Sequence, residues 1–167
     1  MKTALIAGAT GLVGSALLQH LIRDVSYSKI IVLVRRPLNF EHSKVEQVLY
    51  DYENPIQNPI KADLVFCCLG TTIKKAGSQS GFRKVDYEYP LQLGRYALAN
   101  GVTTFAIITS AGADDKSSVF YSRVKGEVES ELRKLNFERL LIFRPSLLLG
   151  SRDEFRVSEE WAKKIMN

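Results

Sequence analysis

Three residues in the second half of the chain carry side chains suited to proton transfer. Tyr121 and Lys125 form a Tyr-x-x-x-Lys pair, which a helix places on one face, one turn apart. The ammonium favours the phenolate, so the phenol can pass a proton at neutral pH, and the lysine can also bond the nicotinamide ribose. Ser110 follows a predicted strand and can polarise a substrate carbonyl or hydroxyl. Together they suit hydride transfer with a carbon that bears oxygen; the alternative is a surface pair with Ser110 capping a turn.

An apolar run near the N-terminus leads into three glycines spaced by three, Gly8, Gly11 and Gly14. An apolar-periodic segment follows, so this order predicts a strand, a tight turn and a helix. A diphosphate can sit on a helix N-terminus, where backbone N–H groups are unpaired, if no side chain blocks its approach. Gly8 suits the sharp turn, Gly11 lets phosphates come close, and Gly14 lets the helix pack tightly on the strand. We predict a dinucleotide site, with a purely structural turn as the alternative.

Arg35 and Arg36 directly follow the second predicted strand. An NAD-preferring site places a carboxylate at this position to bind the adenosine ribose hydroxyls. Guanidinium groups instead suit a 2′-phosphate, which is anionic and can be held by two parallel hydrogen bonds. The position therefore predicts NADP as the cofactor, with NADPH preferred over NADH. Two surface arginines without a ligand are the alternative.

Two other strand ends carry candidate cofactor contacts. Asp51 and Tyr52 follow the third strand and could touch an adenine edge, although a turn-capping aspartate explains Asp51 equally well. The fourth strand ends in Gly70 and Thr71, a small residue followed by a hydroxyl. Because ligands in a doubly wound sheet lie beyond the carboxyl ends of the strands, cofactor phosphates and ribose would pass here.

Alternating strands and helices with short connections must position these residues. Several segments are apolar without alternation, which is typical of strands buried on both faces of a parallel sheet. We predict an α/β fold, a Rossmann-type doubly wound parallel sheet in the order 3-2-1-4-5-6 with helices on both faces. Residues 74–81 are predicted as a loop, and Pro90 either begins or bends the next helix. The predicted strands are 3–8, 30–34, 45–50, 64–69, 102–109 and 139–143, and the predicted helices are 12–24, 82–100 and 117–135.

Length and composition narrow the class of protein. With 167 residues, the chain is expected to form a single domain over 1–167. Its net charge of +5 is dispersed, so no stretch resembles a nucleic-acid-binding arm. Neighbouring Cys67 and Cys68 point to opposite faces of a strand and are expected to be reduced thiols, with no disulfide and no metal site. Without a signal peptide or an apolar stretch of membrane-spanning length, we expect a cytoplasmic protein that does not bind membranes.

Several stretches resemble the extended and atypical short-chain dehydrogenases/reductases and, more narrowly, the Tat-interacting-protein-like oxidoreductases. The features of the broader likeness are the glycine turn, Ser110, Tyr121 with Lys125, and Arg144-Pro145-Ser146. The narrower likeness covers nearly the whole chain, and its most specific part is the Cys-Cys-Leu-Gly-Thr-Thr run. The stretches that carry it are residues 66–72, 75–77, 81–86, 125–129 and 143–145.

The resemblance implies a Rossmann fold that binds NADPH and assigns parts of the cofactor to stretches of this chain. It implies Arg35 and Arg36 at the 2′-phosphate, and it supports Asp51 and Tyr52 at the adenine. The residues implied at the diphosphate and ribose are Gly8, Ala9, Thr10, Gly11, Leu12, Val13, Leu69, Gly70 and Thr71. The residues implied to flank the nicotinamide are Pro145, Ser146, Leu147 and Leu148.

The chain departs from the broader pattern at Asp86, where extended enzymes usually carry an asparagine, although the narrower family shares the aspartate. Relatives also continue well beyond this C-terminus, and we expect the region that covers the substrate to be largely absent. The favoured function is an NADP-dependent oxidoreductase acting on a small carbonyl or hydroxyl compound. The alternative is an NADPH-binding regulatory or scaffold protein with a protein partner. A nucleotide-sugar epimerase is a weaker third interpretation.

Overall fold

The computed structural model describes residues 1–54 and 60–146. Its strands are β1 (Lys2–Ala7), β2 (Tyr27–Val34), β3 (Val45–Leu49), β4 (Leu64–Cys67), β5 (Thr104–Ile108) and β6 (Arg139–Phe143). They form one sheet in the order β3-β2-β1-β4-β5-β6, and all neighbouring pairs among these strands are parallel. The predicted Rossmann-type fold and its strand order are therefore confirmed.

Three longer helices connect the strands, and shorter helical segments follow β4. The helices are α1 (Leu12–Arg23), α2 (Ile73–Ala76), α3 (Gln79–Arg83), α4 (Tyr89–Ala99) and α5 (Phe120–Arg133), with a π-helical turn at Lys84–Glu88. The predicted helices at 12–24 and 117–135 agree with α1 and α5 apart from a few terminal residues. Within the described ranges, no helix has the length and apolar character needed to cross a membrane.

The segment predicted as a loop, residues 74–81, instead contains the last three residues of α2 and the first three of α3. Thr72 caps α2 by accepting a hydrogen bond from the Lys75 N–H at 3.1 Å, and Ser78 caps α3 by accepting one from the Gly81 N–H at 3.0 Å. Such hydroxyl caps satisfy N–H groups that have no partner inside the helix. The caps therefore support short helices in a polar stretch that has no apolar periodicity.

The single helix predicted over 82–100 is interrupted by the π-helical turn. Tyr89 donates its backbone N–H to the Lys84 carbonyl, five residues back. Pro90 has no N–H to donate to the carbonyl of Asp86, four residues earlier, so the ordinary helical ladder fails here. Because Pro90 lies in the first turn of α4, the proline begins the main helix. The wider turn before it carries Asp86, which is buried.

Apolar side chains pack on both faces of the sheet, which explains why the strands lack alternation. On one face, Ile6 packs with Leu18 of α1. On the other face, Leu5 lies in a cluster with Leu93 of α4 and Leu132 of α5. Since successive strand residues point to opposite faces, both sets of strand side chains are buried. Ligands are thereby restricted to the edge where the carboxyl ends of the strands meet.

Candidate functional site

The turn after β1, called here the glycine turn (residues 8–14), is held by close backbone contacts. Gly8 has φ +85°, and a Cβ added to it would lie 2.5 Å from the Cys68 carbonyl oxygen. A Cβ on Gly14 would lie 2.2 Å from the Gly8 carbonyl oxygen. There is no room for a side-chain carbon at either position, so the chain needs glycine at both. A Cβ on Gly11 would meet only the Gly8 carbonyl oxygen at 3.4 Å, so this position faces open space.

The start of α1 is suited to bind an anion. Gly11 is the N-cap residue and supplies no side-chain hydrogen bond. The first N–H groups of a helix, here including those of Leu12 and Val13, have no partner within the helix. Together with the helix dipole, they favour a negatively charged group at this position.

The glycine turn adjoins the segment after β4, so two of the predicted cofactor stretches meet. Cys68 donates its N–H to the Ala7 carbonyl at 2.8 Å. Two residues later, a Cβ on Gly70 would lie 3.6 Å from Asp86 Oδ1 and 3.9 Å from Lys125 Nζ. The glycine turn, the segment after β4 and the predicted lysine therefore lie along one continuous edge.

Lys125 and Asp86 form a buried ion pair at this edge. Lys125 Nζ lies 2.6 Å from Asp86 Oδ1, and the two residues are 5% and 1% exposed. The second carboxylate oxygen accepts a hydrogen bond from the Thr71 N–H at 2.9 Å. Burial raises the pKa of Asp86, whereas Lys125 and the Thr71 N–H act against this rise by stabilising the carboxylate. The predicted catalytic lysine is thus held by a carboxylate that is not among the predicted site residues.

The two cysteines at the end of β4 are unpaired thiols. Burial raises the pKa of Cys67 to about 12 and that of Cys68 to about 11. Both thiols are therefore protonated and poorly nucleophilic at neutral pH. Among residues 1–54 and 60–146, no cluster of histidine, cysteine and acidic side chains could hold a metal ion.

Tyr121 and Ser110, the other two predicted catalytic residues, have different environments. Tyr121 lies one turn before Lys125 on α5, is 38% exposed, and has its ring centre 5.4 Å from that of Phe82. Ser110 follows β5, and its Oγ is buried without a hydrogen-bond partner in the described part of the chain. A buried hydroxyl without a partner is costly, so Ser110 is suited to bind the oxygen atom of a ligand.

The loop that begins at Ser110 is packed onto α5. Asp114 donates its N–H to the Ser122 carbonyl at 3.1 Å. A Cβ on Gly126 would lie 2.1 Å from the Asp115 backbone nitrogen, so helix and loop touch through their backbones. This packing joins the Ser110 loop to the helix that carries the tyrosine and the lysine.

A buried carboxylate, Glu129, connects α5 to the ends of β5 and β6. It accepts a hydrogen bond from Thr109 Oγ1 at 2.6 Å and hydrogen bonds from Arg144 Nε at 3.0 and 3.1 Å. Burial opposes the charged form, but the bonds from Arg144 and Thr109 outweigh burial and hold the pKa of Glu129 below its usual range. Because Thr109 and Arg144 directly precede Ser110 and Pro145, Glu129 positions both strand ends.

The residues predicted to flank the nicotinamide begin beside the Ser110 loop. Ala111 donates its N–H to the Pro145 carbonyl at 3.0 Å, and Ser146 is exposed. Leu147 and Leu148 lie outside the described residues. The structure therefore brings the first half of this predicted stretch to the edge between β5 and β6.

Arg35 and Arg36 are exposed just beyond the carboxyl end of β2. Within the described ranges, neither forms an ion pair with a carboxylate of the chain. Two exposed guanidinium groups at a strand end, neither paired with a carboxylate in the described part of the chain, are suited to bind an external anion.

Asp51 and Tyr52, the residues predicted to touch the adenine, both make contacts within the chain. Asp51 accepts hydrogen bonds from the Glu53 N–H and from Asn54 Nδ2, both at 2.9 Å, so it caps a turn. Tyr52 is 9% exposed, and its ring stacks on that of Tyr89 with 4.6 Å between centres. Burial raises the pKa of the Tyr52 phenol. Their contact with adenine stays a prediction, and the capping interpretation of Asp51 accounts for its side chain.

Glu129 and Thr109 are not predicted from the sequence, and Asp86 is recognised there only as a departure from a family pattern. A signal for Glu129 exists in α5, where it directly follows Val128 in the buried stripe that also contains Val124. A charged residue beside such a stripe requires a partner. The partners are far away in sequence, so the helix pattern alone does not identify them.

Comparison with solved structures supports the fold. The chain matches a UDP-glucuronic acid 4-epimerase from Bacillus cereus in complex with NAD with a TM-score of 0.72 and 16% identity, over 91% of this chain and 58% of that chain. It matches an ADP-L-glycero-D-manno-heptose-6-epimerase from Helicobacter pylori with a TM-score of 0.72 and 21% identity, over 95% and 58%. The chain thus spans 58% of each epimerase, and likeness at this identity shows the fold alone.

Sequence comparison identifies the family. The chain is 41% identical over 171 residues to Protein HTATIP2 of Rattus norvegicus, across 98% of this chain and 70% of that protein. It is 33% identical over 159 residues to Protein FMP52, mitochondrial, of Saccharomyces cerevisiae, across 92% and 69%. Residues 4–165 match the model of the NAD dependent epimerase/dehydratase family. As its glycine turn and Tyr-x-x-x-Lys pair predict, the chain belongs to this family, which is of the extended short-chain dehydrogenase/reductase type.

Proposed function

We propose that this protein is an NADP-dependent oxidoreductase that transfers a hydride between its cofactor and a small carbonyl or hydroxyl compound. The observation that carries the proposal is the buried Lys125 ammonium beside Gly70, on the same edge as the glycine turn. An ammonium at this position suits a ribose hydroxyl, and the phenol one helical turn away suits proton transfer.

The residues along the edge fit a dinucleotide phosphate. The first N–H groups of α1 suit a diphosphate, and Gly11 adds no side chain that would block it. The exposed Arg35 and Arg36 suit a 2′-phosphate, which is the basis for proposing NADP over NAD. The Bacillus cereus epimerase that shares the fold was solved with NAD. When bound, the nicotinamide would supply or accept the hydride.

Three side chains of this chain would handle the oxygen of the substrate and its proton. The Ser110 Oγ, which has no hydrogen-bond partner among residues 1–54 and 60–146, would donate a hydrogen bond to the substrate oxygen, and this bond would satisfy a buried hydroxyl. The Tyr121 hydroxyl would pass a proton to that oxygen in the reductive direction. The Lys125 ammonium would favour the resulting phenolate and hold the ribose.

Titration with NADPH and NADH, followed by fluorescence, tests the cofactor proposal. We expect NADPH to bind more tightly, and the double substitution Arg35→Ala with Arg36→Ala to weaken NADPH binding by about tenfold or more. NADH affinity should stay nearly unchanged in the same variant. Arg95→Ala, which removes an exposed arginine on α4, is the matched control and should change neither.

Either of two results would contradict the cofactor proposal. Equal affinity for NADPH and NADH would remove the preference for NADP. Absence of binding for both would show that the glycine turn is purely structural in this protein.

A second candidate function is that of an NADPH-binding regulatory or scaffold protein with little turnover. The exposure of Tyr121, 38%, favours it, because a phenol open to water loses much of the benefit of a desolvated site. Tyr121→Phe separates the two functions in a screen of small aldehydes and ketones. An enzyme would consume NADPH in the screen and lose this activity in the variant. A regulator would show no turnover, and its NADPH-dependent binding to a protein partner would survive the substitution.

The cytoplasmic location expected from the sequence also remains a proposal. The FMP52 relatives carry the word mitochondrial in their names. The mitochondrion is therefore the alternative location that an experiment should test. Fractionation of cells that express the C-terminally tagged protein distinguishes the two compartments.

A further inference from the structure

The two arginines proposed to bind the 2′-phosphate lie in a short loop, residues 35–40, which we call the arginine loop. Both ends of this loop are tied to the edge strand β3. At the first end, Tyr50 donates its backbone N–H to the Val34 carbonyl at 2.9 Å, so the pairing with β2 continues up to the start of the loop. At the other end, the side chain of Gln47, a residue of β3, bonds the loop backbone.

Gln47 uses both ends of its side-chain amide to hold the arginine loop. Its Oε1 accepts a hydrogen bond from the Leu38 N–H at 2.7 Å. Its Nε2 donates to the Leu38 carbonyl at 3.2 Å and to the Phe40 carbonyl at 2.7 Å. The amide therefore bonds both backbone groups of Leu38, as one residue of a neighbouring antiparallel strand would do.

Apolar packing places this amide against the loop. Leu38 and Phe40 pack in the apolar cluster on the α1 face of the sheet, and so does Val45, two positions before Gln47. Since residues two apart on a strand point to one face, the Gln47 side chain lies on the face that the loop covers. There it satisfies backbone groups that would otherwise lose water without gaining a partner.

Three residues, Arg35 to Pro37, remain between the two anchors. An extended chain advances about 3.3 Å per residue, so this bridge is short and has little freedom. Pro37 has a fixed φ and disfavours the helical conformation for Arg36, the residue before it. Because both arginines are exposed, the backbone of the bridge largely determines where their guanidinium groups project. The Gln47 hydrogen bonds therefore limit the positions that these groups can reach.

We propose that Gln47 is a positioning residue that determines the preference for NADP by holding the arginine loop. The inference rests on the proposed function and adds to it a residue that does not itself touch the cofactor. A guanidinium binds a phosphate through two parallel hydrogen bonds, which require a defined orientation. A loop that is held at both ends loses little conformational freedom when the 2′-phosphate binds. NADH has no 2′-phosphate, so this preorganisation does not favour its binding.

Gln47→Met removes the hydrogen bonds and keeps a side chain of similar length, since methionine has no amide and only a weakly accepting sulfur. The first measurement is backbone hydrogen exchange in the ligand-free protein, followed by NMR. We expect the Leu38 N–H to exchange about tenfold faster or more in the variant, because it loses its acceptor. The Tyr50 N–H, which is bonded at the other end of the loop, is the internal control and should keep its rate.

The second measurement compares the affinities for NADPH and NADH. Gln47→Met should weaken NADPH binding by about fivefold and change NADH binding by less than about twofold. Unchanged NADH binding also shows that the variant is folded. Asn39→Ala, which removes an exposed amide from the same loop, is the matched control and should change neither affinity.

A double-mutant cycle tests whether Gln47 acts through the arginines. In a protein that already carries Arg35→Ala and Arg36→Ala, Gln47→Met should not weaken NADPH binding further, because the groups that it positions are gone. Further weakening in this background would mean that Gln47 affects the cofactor by another route.

Four results would overturn the inference: an unchanged exchange rate of the Leu38 N–H, an unchanged affinity for NADPH, equal weakening of both cofactors, or a further loss in the protein without the two arginines. Equal weakening would mean that Gln47 supports β3 and nothing more. If the wild-type protein binds both cofactors equally, the proposed preference for NADP fails. The exchange experiment still decides in that case whether Gln47 holds the arginine loop.

Discussion

The sheet edge that carries the predicted cofactor residues has two different ends. At the β1 end, the groups suited to a ligand belong to the backbone. At the β4 to β6 end, they are side chains held by buried charges. The glycine turn depends on contacts such as that between Gly14 and the Gly8 carbonyl. The other end depends on the carboxylates of Asp86 and Glu129, which are both nearly inaccessible to solvent. The two ends serve one edge but are stabilised by different forces.

This difference determines what each end tolerates. Close backbone packing allows no added atom, but it requires no particular charge. A buried ion pair tolerates a change of shape better than the loss of one partner, because the remaining charge is left in a dry environment. Substitutions that add one carbon should therefore damage the glycine turn, and substitutions that remove a charge should damage the other end.

The largest effect is expected at the glycine turn. Gly14→Ala places a carbon 2.2 Å from a backbone oxygen that cannot move aside. We expect the free energy of unfolding to fall by at least about 4 kcal/mol, or the protein not to fold, as measured by urea denaturation. A loss below about 1 kcal/mol would mean that the turn yields easily and that the contrast between the two ends is wrong.

Gly11→Ala is the matched control for this prediction. Its added carbon meets only one protein atom, at 3.4 Å, and it faces the space proposed for the diphosphate. The variant should keep its stability within about 1 kcal/mol. Its affinity for NADPH should fall by about tenfold, because the methyl group stands where phosphates would approach.

The next largest effect is expected at Glu129. Glu129→Ala leaves the Arg144 guanidinium without its carboxylate partner and the Thr109 hydroxyl with only the longer contact to the Phe143 carbonyl, at 3.4 Å. We expect a loss of about 3 kcal/mol in the free energy of unfolding. Glu131→Ala, on the same helix, removes a partner of the exposed Lys134 and should change the stability by less than about 0.5 kcal/mol. Similar losses in both variants, measured by urea denaturation, would mean that burial does not strengthen the Glu129 network.

A smaller effect is expected in the pH dependence of the same contact. The pKa of Glu129 in the folded state lies below the ordinary value of 4.5. Its contribution to stability is therefore fully present above the unfolded-state pKa and is lost as the pH falls through the folded-state pKa. Relative to Glu129→Gln, the wild-type advantage should be constant above about pH 6. It should shrink by about 1 kcal/mol towards pH 3, a value reduced for solvent screening at the half-exposed Arg144.

Urea denaturation of the wild-type protein and of Glu129→Gln across this pH range measures the difference between their free energies of unfolding. The contributions of the other carboxylates cancel in this difference. An advantage that does not shrink below pH 4.5 would assign the stabilisation to the shape of Glu129 and not to its charge.

The sequence predicts the sheet and the glycine turn well because both depend on patterns of neighbouring residues. Apolar runs without alternation identify buried parallel strands, and strand ends identify the edge where Arg35, Gly70 and Ser110 lie. Errors occur where local patterns are weak or compete. Most of residues 74–81 are helical although the stretch is polar, because Thr72 caps α2 and Ser78 caps α3. Pro90 converts one expected helix into a π-helical turn followed by α4.

By itself, the sequence determines the family, the order of the strands and the positions of Tyr121 and Lys125 on one helix, because each follows from residues close together in the chain. Only the tertiary structure decides that Lys125 is paired with Asp86, 39 positions away, and that Glu129 binds Thr109 and Arg144. The packing of distant segments determines such partners, because a buried charge pairs with the oppositely charged or polar group that the fold brings within reach.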